Sequence, residues 1–464
     1  EAPADAPAPP LAAGSRWPAR WRLGRRQAIV AGALALTLLV LVGGGLWWTG
    51  KLPRWLNGGS SSMVARIDTS LTPIAFGDHC GFVDAQGQLV INPQYEAAQF
   101  FFADSGLAPV KMGGKWGLID HQGRFVVNPQ FDGIFPIPGT TQFVAYLAQH
   151  AGIVDAHGTY LVNPQFDMIG SFDAQGRAMA GSGQRYGVID LHGNYLIPPQ
   201  FEGMAWGGDE DGSSGFPQGL LAVQSGGRWG YIDESGHWVI NAQFTQAQPF
   251  DRGGLAAVMI GGPPPGTPVS PAQPAGQWGY IDRTGRMVIA PQYAVAGSFS
   301  EADLAPVQMG GQFGYIDRSG ALKINPQYAN AAPFMRTAAG WRAVVAIQSG
   351  VTPQGAVNWR SGVIDEHGAY TVNPQFDSID NFDRNGRAIA RSGNLSGLID
   401  ESGRYVVNPI YEWLTLQPGS NNYFYRKPGE PTGNQGTFEQ GWLDRDGQIL
   451  SLARGGVCSS GDGE

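Results

Sequence analysis

Short apolar runs separated by glycine- and proline-marked breaks fill the chain from about residue 71 to residue 452, and none of this region keeps a helical period. The clearest stretch is Trp116 to Phe131, WGLIDHQGRFVVNPQF. It reads as a strand, a four-residue Asp-x-x-Gly turn, a second strand, and an Asn-Pro-Gln-aromatic tail. Alternation puts Trp116, Leu118 and Asp120 on one face of the first strand and Gly117 and Ile119 on the other. The unit returns as WGYIDESGHWVINAQF (229–244), WGYIDRTGRMVIAPQY (278–293) and FGYIDRSGALKINPQY (313–328). Weaker copies begin at Cys80, Ala151, Tyr186, Ser361 and Ser396, and a tenth, GWLDRDGQIL, begins at Gly441 without the Asn-Pro tail. Another strand precedes each hairpin, as in LAPV at 107–110 and 304–307, and a short fourth is expected around Phe100, Phe299 and Phe382.

The turn aspartates set the period. Asp84, Asp120, Asp155, Asp190, Asp233, Asp282, Asp317, Asp365, Asp400 and Asp444 lie 36, 35, 35, 43, 49, 35, 48, 35 and 44 residues apart. Self-similarity on this scale marks a solenoid, a propeller or an array whose units pack on their neighbours. The expected fold is therefore all-β, a tandem array of about ten β-hairpin repeats. An open solenoid or superhelix is favoured, because rings usually hold roughly four to eight blades and the period is short for a four-stranded blade. A closed β-propeller is the alternative.

Each recurring position has a structural reading. The turn aspartate accepts from backbone N–H groups, and the glycine three residues on can take positive φ, so ten aspartates require no chemistry. The residue before each aspartate is always a branched aliphatic, from Val83 and Ile119 to Leu443, and should form a continuous core stripe. The glycine at Gly117 and its counterparts implies close backbone approach or an aromatic cover, for which the terminal aromatic (Phe131 in this unit) is the candidate. Asn-Pro ends the strand and aims that aromatic. The combination of WG, ID, turn glycine and proline-plus-aromatic tail resembles the WG-repeat family of bacterial proteins, although Trp precedes the glycine in only three of ten copies. The resemblance implies a repeat β domain, often on envelope or secreted proteins. It implies no defined activity and leaves ring or open array undecided.

Ahead of the repeats the pattern changes. Ala28 to Trp48 is a run of 21 uncharged residues, enough to span a bilayer as a helix. Trp47 and Trp48 stand where an interfacial belt belongs, and Arg16, Arg20, Arg22, Arg25 and Arg26 precede the run. These features predict a disordered Pro/Ala-rich, basic cytoplasmic tail (1–27), a transmembrane helix (28–48), a tether (49–62), a WG-like β-repeat domain (63–455) and a tail (456–464). The protein would then be single-pass in the inner membrane, with its repeats periplasmic or extracellular. Residues 1–56 carry net +5 and the remainder −13, which disfavours a nucleic-acid partner. The two cysteines, Cys80 and Cys458, lie at the two ends of the array; a bridge between them is allowed outside the cytoplasm, and free thiols are the alternative.

No dinucleotide, Walker, zinc-protease or nucleophile-elbow motif occurs, and no catalytic residue or cofactor is expected. Stacked turns would align His121, His157 and His192, but no cysteine or carboxylate pattern accompanies them and no metal site is assigned. Aromatics outside the regular hairpin, namely Trp206, Trp341, Trp359, Trp413, Tyr423 and Tyr425, are candidate binding platforms, with capping of the array ends as the alternative. The expected function is a membrane-anchored extracytoplasmic scaffold that binds an envelope or surface protein. Binding of a cell-wall or surface polysaccharide is the alternative. A glycan-active enzyme comes third, since it needs a pair of non-repeating acids that the sequence does not offer.

Overall fold

A computed structural model describes residues 65–206, 215–262, 276–351, 357–383, 385–416, 422–428, 438–455 and 458. The second blade shows the unit: strands Ala97–Ala98, Ala108–Met112, Lys115–Ile119 and Phe125–Phe131 pair in that order as an antiparallel meander. Ten such sheets follow one another among the described residues; the first has three strands and the eighth gains a side strand at Met335–Thr337. One residue separates each fourth strand from the first strand of the next blade, as Asp132 separates Phe131 from Gly133. That economy, with first strands often of two residues, is how about 35 residues suffice for four strands.

The array closes into a ten-bladed β-propeller, which corrects the expectation of an open solenoid. At each junction the fourth strand of one blade lies against the second strand of the next, and the last fourth strand, Ile449–Gly455, lies in the same way against Thr72–Phe76 of the first blade. Gln440 donates through Nε2 to the carbonyl of Pro73 at 3.0 Å across this seam. Phe100 of the second blade packs on Phe424 and Trp442 of the tenth, with centroids 5.5 Å away in both cases. Cys80 and Cys458 are bridged, with Cα atoms 5.6 Å apart. Cys458 joins the core between the first and second blades, so the bridge fastens the C-terminal strap to the first blade.

Every blade is buried on both faces, because each is sandwiched between two others. Ile119 packs with Phe82 and Tyr95 of the preceding blade, while Leu118 packs with Ile134 and Phe143 of the following one. All ten aliphatics of the expected core stripe are buried. The terminal aromatics are buried as well, but they do not cover the glycines. A two-residue bulge at Asn-Pro folds the fourth strand over the third, so a Cβ on Gly117 would lie 2.4 Å from the carbonyl oxygen of Val127 and 2.8 Å from the nitrogen of Pro129. The same approach recurs at Gly81, Gly152, Gly187, Gly230, Gly279, Gly314, Gly362 and Gly397.

The turn aspartates act as backbone acceptors. Oδ1 of Asp120 accepts from the N–H groups of Gln122 and Arg124, each at 3.0 Å, and all ten turns repeat this two-bond arrangement. Hydrogen bonds to the ionised form hold the carboxyls of Asp120, Asp190, Asp233, Asp282, Asp317 and Asp400 low; at Asp282 the Thr284 hydroxyl is the main donor and the value falls to about 2. A carboxyl lowered on folding stabilises the fold above its ordinary value near 3.8, and that contribution is lost as pH falls through the folded value. Melting temperature should therefore hold steady down to about pH 4 and fall progressively towards about pH 2. A melt that is flat across this window would show that the turns do not couple to stability.

A second staple joins neighbouring blades. Asp132, at the junction of the second and third, accepts from Lys115 Nζ at 2.5 Å and from the backbone N–H of Ala148 at 2.7 Å, and the lysine holds its carboxyl below the usual range. Asp167, Glu202 and Asp377 repeat the backbone bond to Gly183, Gly227 and Gly393.

The apolar run at residues 28–48 lies outside the described residues, as do the tail and tether expected around it. Among the described residues no helix is long and apolar enough to cross a membrane. This corrects the expectation of a single-pass anchor. The inner-membrane location and the membrane-anchored envelope scaffold rested on it and are set aside.

Candidate functional site along the fourth strands

The six aromatics singled out in the sequence do not form one surface. Trp206 is core: its indole N–H donates to the carbonyl of Ser171 at 2.8 Å and its ring meets Phe216 edge-on. Tyr423 and Tyr425 are buried in the tenth blade, and the Tyr423 hydroxyl donates to Asp383 Oδ2 at 2.8 Å. Trp341 is half-buried under the guanidinium of Arg336, 5.7 Å from the ring centroid. Trp413 is half-buried and pairs across the sheet with Arg426. Trp359 alone of the six is largely exposed, at 46%, opposite Gln348 on an extended hairpin. Since Trp341 is seven residues before Gln348 on one strand, the two tryptophans stand about 23 Å apart.

The histidines do not converge either. His121 bonds through Nε2 to Asp68 Oδ2 at 2.9 Å and stacks on Phe101, whereas His157 and His192 are exposed on separate turns. Among the described residues no group of three or more His, Cys, Asp or Glu side chains is placed to hold a metal.

A regular surface does exist where the sequence reading did not look, at the start of the fourth strand. In blades two to five this position holds Phe125, Tyr160, Tyr195 and Trp238, two residues after the turn glycine. Each is set edge-on to the buried terminal aromatic of the preceding blade, at centroid distances of 5.7–6.1 Å and interplanar angles of 80–87°. One side of each ring is thus fixed, and the remainder meets solvent; Tyr195 and Trp238 are both 39% exposed. Burial raises the phenols of Tyr160 and Tyr195, so both are protonated donors at neutral pH.

The outward residues of the same strands carry no charge. The second, fourth and sixth positions are Val126, Asn128 and Gln130 in blade two, Leu161, Asn163 and Gln165 in blade three, Leu196, Pro198 and Gln200 in blade four, and Val239, Asn241 and Gln243 in blade five. Carboxamides offer donors and acceptors together, and an aromatic ring supplies a flat apolar body. The row is interrupted at Met287 and at Leu322, where Lys323 also brings a charge, and resumes at Tyr370 and Tyr405. Its signal in the sequence was the aromatic after Asp-x-x-Gly-x, read there only as part of the hairpin.

The family model for the WG containing repeat matches residues 81–116, 116–138, 152–181, 186–206, 229–262, 278–312, 313–336 and 362–395, just over half of the chain. The chain belongs to the WG containing repeat family. The matched WG segments run from the third strand of one blade into the next, so the family's repeat and the structural blade are out of phase by about half a unit. No curated protein matches the chain. Solved structures similar to this WG protein include a eukaryotic initiation factor (10% identity, TM-score 0.46, covering 75% of this chain and 95% of that one). Hsv2p of Kluyveromyces lactis gives 10% identity and a TM-score of 0.30 over 66% and 94% of the two chains. The extracellular domain of a putative hybrid two-component system from B. thetaiotaomicron gives 11% and 0.25 over 89% and 60%.

Proposed function

We propose that the ring is a carbohydrate-binding module that takes a neutral surface or cell-wall polysaccharide on its fourth-strand edges. The observation that carries this reading is the uncharged row of blades two to five, where each fourth strand opens on a partly exposed aromatic and carries exposed carboxamides further along. Sugars present apolar C–H faces and hydroxyls that both donate and accept, which is the chemistry this strip complements. The acidic character of the repeat region, within the net −13 of residues 57–464, favours neutral over anionic polymers.

A glycan array probed with the full chain tests the reading. Saturable binding of neutral glycans is expected, weakened about tenfold or more in the double variant Tyr195→Ala and Trp238→Ala. Trp341→Ala, on a different part of the ring, should leave that binding unchanged. Absence of retention on every neutral glycan, or retention untouched by the double variant, would remove the proposal.

A further inference from the structure

Resting on that reading, we infer that the ligand is a repeating polymer bound across successive blades, one platform per blade, and not a short sugar held in a single pocket. The platforms occupy one register position in four consecutive blades, and each is oriented by the same edge-on contact to the blade before it. A surface that repeats with the fold matches a ligand that repeats along its chain. Sheets that pack face to face lie about 10 Å apart, so three intervals from Phe125 to Trp238 cover roughly 30 Å or more. Along any one strand, by contrast, a single aromatic is followed by an aliphatic and amides, which gives no second platform for the next sugar in that direction. The polymer therefore runs across the strands, from blade to blade.

Such a row binds by accumulation. Each blade contributes a weak contact, and once one is made the next is intramolecular, so affinity climbs steeply with chain length until the row is filled. Size-fractionated fragments of neutral β-glucan, mannan and dextran, titrated calorimetrically into the full chain, read this directly. For the polymer that binds, affinity should rise about a hundredfold or more between fragments that reach one platform and fragments that reach four, and then level off. Tyr195→Ala, in the middle of the row, should flatten this rise while leaving binding of the shortest fragments within about twofold. Asn163→Ala, at an exposed amide, should flatten it to a smaller degree and guards against a folding defect in the first variant. An affinity independent of length beyond two or three sugars, abolished by one of these single substitutions, would replace the row with one pocket and overturn the inference. If no fragment of any length binds, it is the carbohydrate reading itself that fails.

Discussion

Alanine at Gly117 should destabilise the ring by roughly 3 kcal/mol. The added methyl would sit 2.4 Å from the carbonyl oxygen of Val127 and within 3.0 Å of Asn128 and Pro129, all backbone atoms that no rotamer change can move. Relief requires flattening the Asn-Pro bulge, and the bulge sets the register that returns Phe131 to pair with Trp116. Gly114→Ala is the comparison: its Cβ would meet nothing within 4 Å, so only the strain of φ +73° remains, about 1 kcal/mol. Denaturant midpoints of the two variants measure the difference. Equal, small losses would mean that the fourth strand yields easily and that the glycine is not a steric requirement.

The second large effect lies at the seam. Cys458→Ser should lower stability by on the order of 4 kcal/mol, because the bridge closes a loop of 378 residues and so restricts the unfolded chain strongly. The loss should be uneven. Hydrogen exchange should accelerate first in the tenth and first blades, where closure then relies on Gln440 with Pro73 and on Phe100 of the second blade with Phe424 and Trp442. The middle blades, held on both sides by uninterrupted chain, should keep their protection longest. Uniform acceleration around the ring would show that the strap acts only on the unfolded state and does not secure the seam.

Much of the blade was legible because it is dictated locally. An aspartate and a glycine three residues apart define a turn whatever surrounds them, and the aliphatic before the aspartate sits where a strand enters a core. Closure was not legible. It depends on the angle between successive blades, which no single residue encodes, and on one-residue junctions such as Asp132 that make a blade out of a short period. The first strands were anticipated slightly late, at Phe100, Phe299 and Phe382; they lie at Ala97–Ala98, Val295–Ala296 and Ser378–Ile379, and the phenylalanines begin the connections that follow. Those connections hide a second set of aspartate turns. Oδ1 of Asp173 accepts from the N–H groups of Gln175 and Arg177, and Asp383 does the same for Asn385 and Arg387, which the pattern Phe-Asp-x-x-Gly could have revealed.

The six aromatics outside the hairpin stand out in the sequence because they interrupt a pattern, and an interruption is as often a plug as a platform. Trp206 and Tyr423 fill space that the regular repeat would leave open. The exposed row lies inside the pattern, where repetition itself made it look structural. Exposure at Tyr195 and Trp238 is set by neighbours from the blade before, a long-range property that spacing along the chain does not carry.

The fourth strands have one more consequence. Each bonds to a partner on one side only, so the molecule bares a strand edge in every blade, and bare edges invite other chains to add on and aggregate. Pro93, Pro129, Pro164, Pro199, Pro291, Pro326, Pro374 and Pro409 remove a donor from those edges and bend them through the bulge. The same residues that shape the repeat thus also blunt its outer edges, and the fifth and tenth blades, with Ala242 in the one and the proline-free strand Ile449–Gly455 in the other, are where that protection is missing.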